Sequence, residues 1–489
     1  MTGGAELLAA MAGRLVVVLG DAMLDRYVAG EVRRISPEAP IPVLRARERR
    51  EVAGGAANAA LNVTSLGGEA VLVTAVGRDE AAGALRAALA GVETRFVEAA
   101  RPTTVKTRFV AGGQQMLRLD EEEAGPVDAA TEEGLLAAVR AALGNSGSGE
   151  ARARALVLSD YAKGVLTDRV LAGAIAAARA ARVPVIVDPK RADFAAYAGA
   201  TVVAPNVLEI TRATGLPAGD DEAAAAACRA ALAQAGAEAI LLKRSERGLT
   251  LLPRDGAALH VATRAREVAD VSGAGDTLVA AFALALAAGG TLADAARLAN
   301  EAAGLAVGHH GTAAVTRAEL AAALHQGEVL ALDDKVADEK SGLARIAAWR
   351  AAGLSIGFTN GCFDLIHPGH VRLLARARAA CDRLVVALNT DASVKRLKGP
   401  DRPVQSETAR ATVMASMASA DLVMLFDEET PERLIRAIRP DVLIKGADYT
   451  VETVVGADFV QEHGGRVVLI PLEAGHSTTA TISRIHANS

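Results

Sequence analysis

A chain of 489 residues predicts two to four domains, each large enough to bury its own core. Apolar residues at 51% and charged residues at 23% exclude a disordered or collagenous polypeptide. The 53 Lys plus Arg against 58 Asp plus Glu give a net charge of -5, so the basic excess of a nucleic-acid binder is missing and no nucleic-acid partner is expected. Cys228, Cys362 and Cys381 show no CxxC spacing, which points away from a disulfide framework or zinc knuckle and toward a cytoplasmic protein. No positively charged region precedes the first apolar stretch, so a signal peptide is not expected. The charge-free run from Thr277 to Ala293 falls short of the roughly 20 strongly apolar residues that span a bilayer. It reads as a buried helix, with no membrane partner.

In chain order, β-branched runs at Leu15–Leu19, Val71–Val76, Ala155–Ser159, Val183–Val187, Thr201–Ala204 and Ala239–Leu242 alternate with Ala-rich helical stretches. That rhythm predicts a mostly parallel sheet covered by helices. Asn145 to Gly149 reads as a loop between two such units. A charged stretch over 326–350 is the expected linker between a first domain over 1–325 and a second over 351–489. The second domain repeats the pattern: strands at Leu354–Phe358, Leu384–Leu388, Leu422–Phe426, Val442–Ile444 and Val467–Ile470, with helices from about His370 and near Glu407 and Pro431.

The sharpest local signal is Asp270-Val271-Ser272-Gly273-Ala274-Gly275-Asp276-Thr277, leading into the apolar helix. Two glycines let the backbone turn its N–H groups toward an anion, and the helix N-terminus adds partial positive charge. Asp276 beside such a phosphate cradle is placed to take the proton of a hydroxyl attacking a γ-phosphoryl group. The competing reading is a Gly turn with an ordinary helix cap. Gly54-Gly55-Ala56-Ala57-Asn58, and Asp21 with Asp25 after the first strand, offer the carboxylates and amide that polyol hydroxyls require. Asp188-Pro189-Lys190, Pro205-Asn206 with Glu209, and the Lys243, Ser245, Gly248 segment each follow a predicted strand. At the carboxyl ends of an open α/β sheet they converge on one cleft.

These segments resemble, in family order, the ribokinase-like sugar kinases over nearly all of 1–325. The resemblance implies an α/β sandwich with Asp276 as catalytic base and Gly273, Ala274 and Gly275 as anion hole. It implies that Asn206 and Glu209 organise Mg2+ and the ATP phosphates, that Lys243, Ser245 and Gly248 contribute to the nucleotide site, and that Asp21, Asp25, Gly54, Gly55 and Asn58 hold the sugar. Lys163 and Lys190 are candidates for a phosphate on the substrate, solvated surface lysines being the competing reading. Sugar kinases of this family often pair, so a homodimer is expected.

In the second domain, Thr359-Asn360-Gly361-Cys362-Phe363-Asp364-Leu365-Ile366-His367-Pro368-Gly369-His370 follows a strand and opens a helix. Two histidines three apart there can face one pocket and donate to phosphate. A zinc pair would need a third ligand close by, and none is evident, so no resident metal is assigned. Lys395, Arg396, Lys398 and Arg402 form a basic cluster suited to a departing pyrophosphate, a solvated basic loop being the alternative. Cys362 reads as a small buried side chain without catalytic work.

This segment resembles the HxGH signature of cytidylyltransferase-like nucleotidyltransferases, a smaller Rossmann-like fold. A second family feature is Ser477-Thr478-Thr479-Ala480-Thr481-Ile482, whose hydroxyls would bind nucleotide phosphates. By that resemblance His367 and His370 are catalytic, and Thr359, Asn360, Gly361, Phe363, Lys398, Arg402, Ser477, Thr478 and Thr479 contact the nucleotide. The fusion in this order resembles the bifunctional enzymes that activate heptose for lipopolysaccharide. It implies ATP-dependent phosphorylation of heptose 7-phosphate, then adenylyl transfer from ATP to heptose 1-phosphate, with a separate phosphatase between the steps. Two alternatives stay open on the residues alone: a kinase fused to a cytidylyltransferase for another polyol phosphate, or one half reduced to nucleotide sensing.

Overall fold

The computed structural model describes residues 4–144, 153–263, 270, 273–309, 314–351, 353–447 and 450–471, with the backbone alone over 326–334. The Asn145–Gly149 loop and Ser477, Thr478 and Thr479 lie outside the described residues. The chain divides into two compact units, Met1–His325 and Gln326–Ser489.

In the first unit the strands are β1 (Leu15–Gly20), β2 (Ala22–Ile35), β3 (Pro42–Gly55), β4 (Glu69–Val76), β5 (Glu93–Glu98), β6 (Val105–Ala111), β7 (Gln114–Glu121), β8 (Ala155–Ser159), β9 (Val185–Asp188), β10 (Val202–Val203), β11 (Ala239–Lys243), β12 (Leu249–Pro253) and β13 (Leu259–Val261). Nine of them form one sheet in the order β13-β12-β11-β10-β9-β8-β1-β4-β5, parallel except at β12 and β13. Every residue of β1 and β8 is buried, as expected for a parallel sheet with both faces covered. The pleat splits β1 between two cores. Val16 and Val18 pack with helices Ala56–Ser65 and Ala274–Ala287, whereas Leu15, Val17 and Leu19 pack with helices Ala129–Leu143 and Asp168–Ala180. The run from Thr277 is the buried helix that its composition indicates, Asp276 to Ala285 being buried throughout.

A second sheet, β3-β2-β6-β7, rises directly from the end of β1. The carboxyl ends of β1, β8, β9 and β11, the start of helix Ala274–Ala287 and the root of this smaller sheet share one edge, where β1 is flanked by β4 and β8 on opposite sides. A crevice at such a switch point is where open α/β sheets take ligands.

The second unit has a six-stranded parallel sheet, β14 (Val336–Ala337), β15 (Ile356–Gly361), β16 (Arg383–Asn389), β17 (Leu422–Phe426), β18 (Val442–Gly446) and β19 (Arg466–Ile470), ordered β14-β17-β16-β15-β18-β19. Its switch point lies at the end of β15, between β16 and β18. Part of the stretch read as a linker belongs to this fold. Val336 and Ala337 pair with β17, and helix Glu339–Ala351 turns Leu343, Ile346 and Trp349 onto the sheet. The i, i+3, i+6 apolar stripe outweighs the charges that surround it. β15 also starts two residues later than expected and runs on through Gly361, carrying Thr359 and Asn360 on the strand itself. Among the described residues no helix is long and apolar enough to cross a membrane.

Candidate active sites

Asp276 lies in the first turn of helix Ala274–Ala287, 6% exposed. Asn58, in the first turn of helix Ala56–Ser65, donates from Nδ2 to its Oδ2 at 2.7 Å, and the Tyr161 hydroxyl donates to its Oδ1 at 2.7 Å. Burial, chiefly, with the nearby Asp188 carboxylate, pushes Asp276 up to about 6 against those two hydrogen bonds and the Lys243 charge. Gly273 takes the left-handed φ of 81° that starts this helix, and no side chain caps the first amides, so the turn offers N–H groups to an anion. Lys243 Nζ donates to Asp188 Oδ1 at 2.5 Å and lies 3.7 Å from where a Cβ on Gly275 would stand. Burial alone would lower the Lys243 ammonium, but Asp188 and Glu209 outweigh it and the group stays charged beside the turn.

The two carboxylates predicted to hold the sugar have different partners. Asp25 is buried and accepts from Arg108 Nη1 at 2.5 Å. Asp21, expected to meet the sugar, spends its carboxylate on the backbone. Its Oδ2 accepts from the Tyr161 and Lys163 amides at 2.9 and 3.0 Å, and its Oδ1 from the Val165 amide at 2.9 Å. A Cβ on Gly54 would fall 2.3 Å from Asp25 Oδ2, and one on Gly55, at φ 61°, 2.5 Å from the Asp21 carbonyl. Gly55→Ala combines backbone strain with a clash against main chain. It is expected to destabilise the first unit by roughly 3 kcal/mol, read as a lowered thermal midpoint of that unit with adenylyl transfer retained below it.

The two candidate phosphate lysines part company. Lys163 Nζ meets Glu122 at 2.5 Å on the loop held by Asp21, beside the sugar side. Lys190, two residues past β9, instead faces Glu209 Oε1 at 3.4 Å, at the start of helix Val207–Thr214. Asn206 and Glu209 form a capping box, each side chain accepting from the other's amide at 2.9 Å. Asn206 is bridged to Lys243 across the sheet edge, and Ser245 and Gly248, both at positive φ, close the turn after β11. Among the described residues no three His, Cys, Asp or Glu side chains gather into a metal cage. One carboxylate suits magnesium carried mainly by phosphates; Glu209, whose oxygens here accept from the Asn206 amide and Lys190, is the carboxylate that would hold it.

In the second unit Thr359, Asn360, Gly361, Phe363, His370, Lys398 and Arg402 line one cavity of about 560 Å³. His367 caps helix Pro368–Ala379 with no side-chain bond to its first amides. The His367 and His370 rings stack at 3.8 Å and 20°, with Phe363 edge-on to His370 at 5.0 Å; His370 lines the cavity, and His367 stands behind it without lining it. Burial first, then His367 and Lys398, push His370 down to about 4 against a hydrogen bond to the Leu365 backbone, leaving a neutral imidazole whose Nδ1 has no partner among the described residues. Of the basic cluster, Lys398 and Arg402 line the cavity, whereas Arg396 turns away to Asp427 at 3.1 Å. Arg402 Nε donates to the buried Asp364 at 2.7 Å while its Nη2 is buried with no protein partner, a donor left for a ligand. Cys362 is half-buried on the cavity wall, its Sγ 3.7 Å from Asn389 Oδ1, not the buried filler expected.

Sequence reasoning passed over Tyr161, Asp364 and Lys445. Tyr161 stood within Asp160-Tyr161-Ala162-Lys163-Gly164 directly after β8, where the lysine drew attention. Asp364 stood within the HxGH segment, and it anchors the Arg402 loop through the Val404 and Gln405 amides at 2.8 and 3.1 Å. Lys445, next to last in β18 across the switch point, donates to the Asn360 carbonyl at 3.2 Å.

A buried carboxylate at a helix turn with uncapped amides, with a stacked HxGH pair in a second Rossmann-like unit, fits a carbohydrate kinase joined to a nucleotidyltransferase. Residues 14–319 match the family described as pfkB family carbohydrate kinase, and residues 358–474 the Cytidylyltransferase-like family. The chain is 54% identical to Bifunctional protein HldE of Rhodospirillum rubrum over 99% of its length and 97% of the relative's. It is 55% identical to Bifunctional protein HldE of Caulobacter sp. (strain K31), over 99% and 98%. The chain belongs to the HldE family of bifunctional proteins. Among solved structures, Arabidopsis thaliana ribokinase complexed with ribose and ATP matches 64% of this chain and 99% of its own at 25% identity and a TM-score of 0.51. Phosphofructokinase-2 from Escherichia coli shares the fold over the same 64%, covering 99% of that chain, at 19% identity and a TM-score of 0.54.

Proposed function

We propose that this chain carries out two steps of ADP-heptose synthesis that feeds lipopolysaccharide. In the first unit the anomeric hydroxyl of D-glycero-β-D-manno-heptose 7-phosphate attacks the γ-phosphorus of ATP. The O–P bond forms as the bond to ADP breaks, and the hydroxyl proton passes to Asp276. Asn58 and Asp25 orient the sugar side, and the Gly273–Gly275 amides with Lys243 take the transferring charge. Glu209 and the nucleotide phosphates would hold a magnesium ion, which would supply charge neutralisation. In the second unit a 1-phosphate oxygen of the heptose attacks the α-phosphorus of ATP and pyrophosphate leaves. His367, His370, Lys398 and Arg402 bind the oxygens on which charge accumulates, and Ser477, Thr478 and Thr479 complete the nucleotide site. The kinase product is a bisphosphate and the second substrate a monophosphate, so a phosphatase acts between them.

The observation that carries this reading is the coexistence in one chain of a buried, doubly hydrogen-bonded Asp276 and a stacked His367–His370 pair, within a family matched end to end. A cytoplasmic homodimer completes the proposal. The smaller sheet exposes Ile35, Ile41, Met116, Leu117 and Leu119, and covering them with a second copy favours pairing there. Heptose 7-phosphate with ATP is expected to yield the 1,7-bisphosphate, and heptose 1-phosphate with ATP to yield ADP-heptose with stoichiometric pyrophosphate. Phosphorus NMR of the products tests both, and a preference for CTP in the second reaction would overturn the assignment.

A further inference from the structure

A buried carboxylate that serves as a base has to meet two opposed demands. It must be ionised near neutral pH, which favours donors around it, yet remain basic enough to take a proton, which a bonded cation would prevent. Among the described residues the direct donors to Asp276 are both neutral: the Asn58 amide on Oδ2 and the Tyr161 phenol on Oδ1, each at 2.7 Å. The nearby cation, Lys243, is bonded instead to Asp188. Tyr161 is itself fixed, since its own amide and those of Lys163 and Val165 all donate to the buried Asp21. A hydrogen-bonded path thus runs from Asp21 through the loop after β8 to the phenol and on to the carboxylate.

We infer that Tyr161 is the positioning residue of the kinase base: its hydroxyl holds Asp276 ionised and aimed at the acceptor hydroxyl, and Asp21 acts through it rather than on the sugar. This rests on the reading of Asp276 as the base. The phenol gives up no proton in the reaction, because burial holds it well above its ordinary value and it remains a constant donor. The charged groups facing this pair are Asp188 at the end of β9, Lys243 at the end of β11 and, toward the phenol, Asp25 on β2. None of them replaces the lost donor when Tyr161 is truncated to Phe.

The test is the pH profile of kinase kcat/KM for heptose 7-phosphate in the full chain. Tyr161→Phe is expected to move the acid limb up by about one pH unit, the size of one hydrogen bond to a charged group. Its rate is expected to fall about fivefold at pH 6, where the parent is half ionised, and return to within a few-fold of the parent at pH 9, with KM for ATP unchanged. Replacing Tyr161 with 3-fluorotyrosine, a stronger donor of the same shape, is expected to move the limb down, and it decides the matter should the Phe variant fail to fold. A loss equal at every pH in Tyr161→Phe, or a limb that stays in place in both variants, would overturn the inference. Asp276→Asn in the same assay separates the two readings: if it kept activity the base assignment would fall, whereas an inactive Asp276→Asn beside unmoved Tyr161 limbs would remove only the role given to Tyr161.

Discussion

Asp276→Ala lowers heptose phosphorylation by about a thousandfold, within the usual range for a positioned general base, and leaves adenylyl transfer by the same chain within twofold. The first effect follows from the carboxylate's place at the turn where helix amides, Lys243 and the sugar-side Asn58 converge. The second follows because the nucleotidyltransferase cavity is built wholly from residues of the second unit. Initial rates of the two half-reactions measure both. The wild-type kinase is expected to lose activity as pH falls through about 6, where Asp276 takes up its proton. The same shift has a stability consequence with a definite sign. The folded-state value of about 6 lies above the 3.8 of an ordinary Asp, so the folded chain binds more protons between these values. Stability is highest below the lower value and falls as pH rises through the window, the full penalty of roughly 3 kcal/mol standing above it. Asp276→Asn removes that charge. At pH 8 its first unit is expected to melt no lower than the parent's while its kinase activity is gone, and a melting loss would mean that the ionised carboxylate contributes to folding.

His370→Ala lowers adenylyl transfer by about a hundredfold or more, the order found for one donor to a developing oxyanion, and spares the kinase. The ring is wedged between His367 and Phe363, so its N–H direction is set before any nucleotide arrives. Because burial and its neighbours push it down to about 4, His370 stays neutral across the working range. The wild-type adenylyl transfer rate is therefore expected to show no inflection from this group between pH 8 and 5.5. A rate that tracked protonation of His370 near 6.5, absent in His370→Ala, would mean that the ring works as a cation.

How much of this was legible in the sequence depended on whether a residue's role is local. The runs that became β1, β8 and β17 read correctly because a strand buried on both faces is apolar throughout. The Gly273 to Asp276 turn and the His367 to His370 pair stood out because each falls within the start of one helix. β3 was illegible for the opposite reason. Arg45 to Glu51 are all exposed, and they are extended only because β2 pairs with them. The helix that buries Ile346 was hidden by flanking charges that bear on solvent. Lys190 follows Asp188 by two positions, yet the chain turns it toward Glu209, and Asp21 stands at a strand end as sugar-binding carboxylates do while serving three amides. Tyr161 escaped notice because its meaning is a contact with a residue 115 positions away, which periodicity does not encode.

The central claim is that one chain holds two sites that work without each other. Mixing the Asp276→Ala and His370→Ala variants in equal amounts, with heptose 7-phosphate, ATP and a phosphatase that removes the 7-phosphate, measures it most directly. ADP-heptose formation at about half the parental rate per mole of chain is the predicted result. A mixture as inactive as either variant alone, with both variants folded, would contradict it.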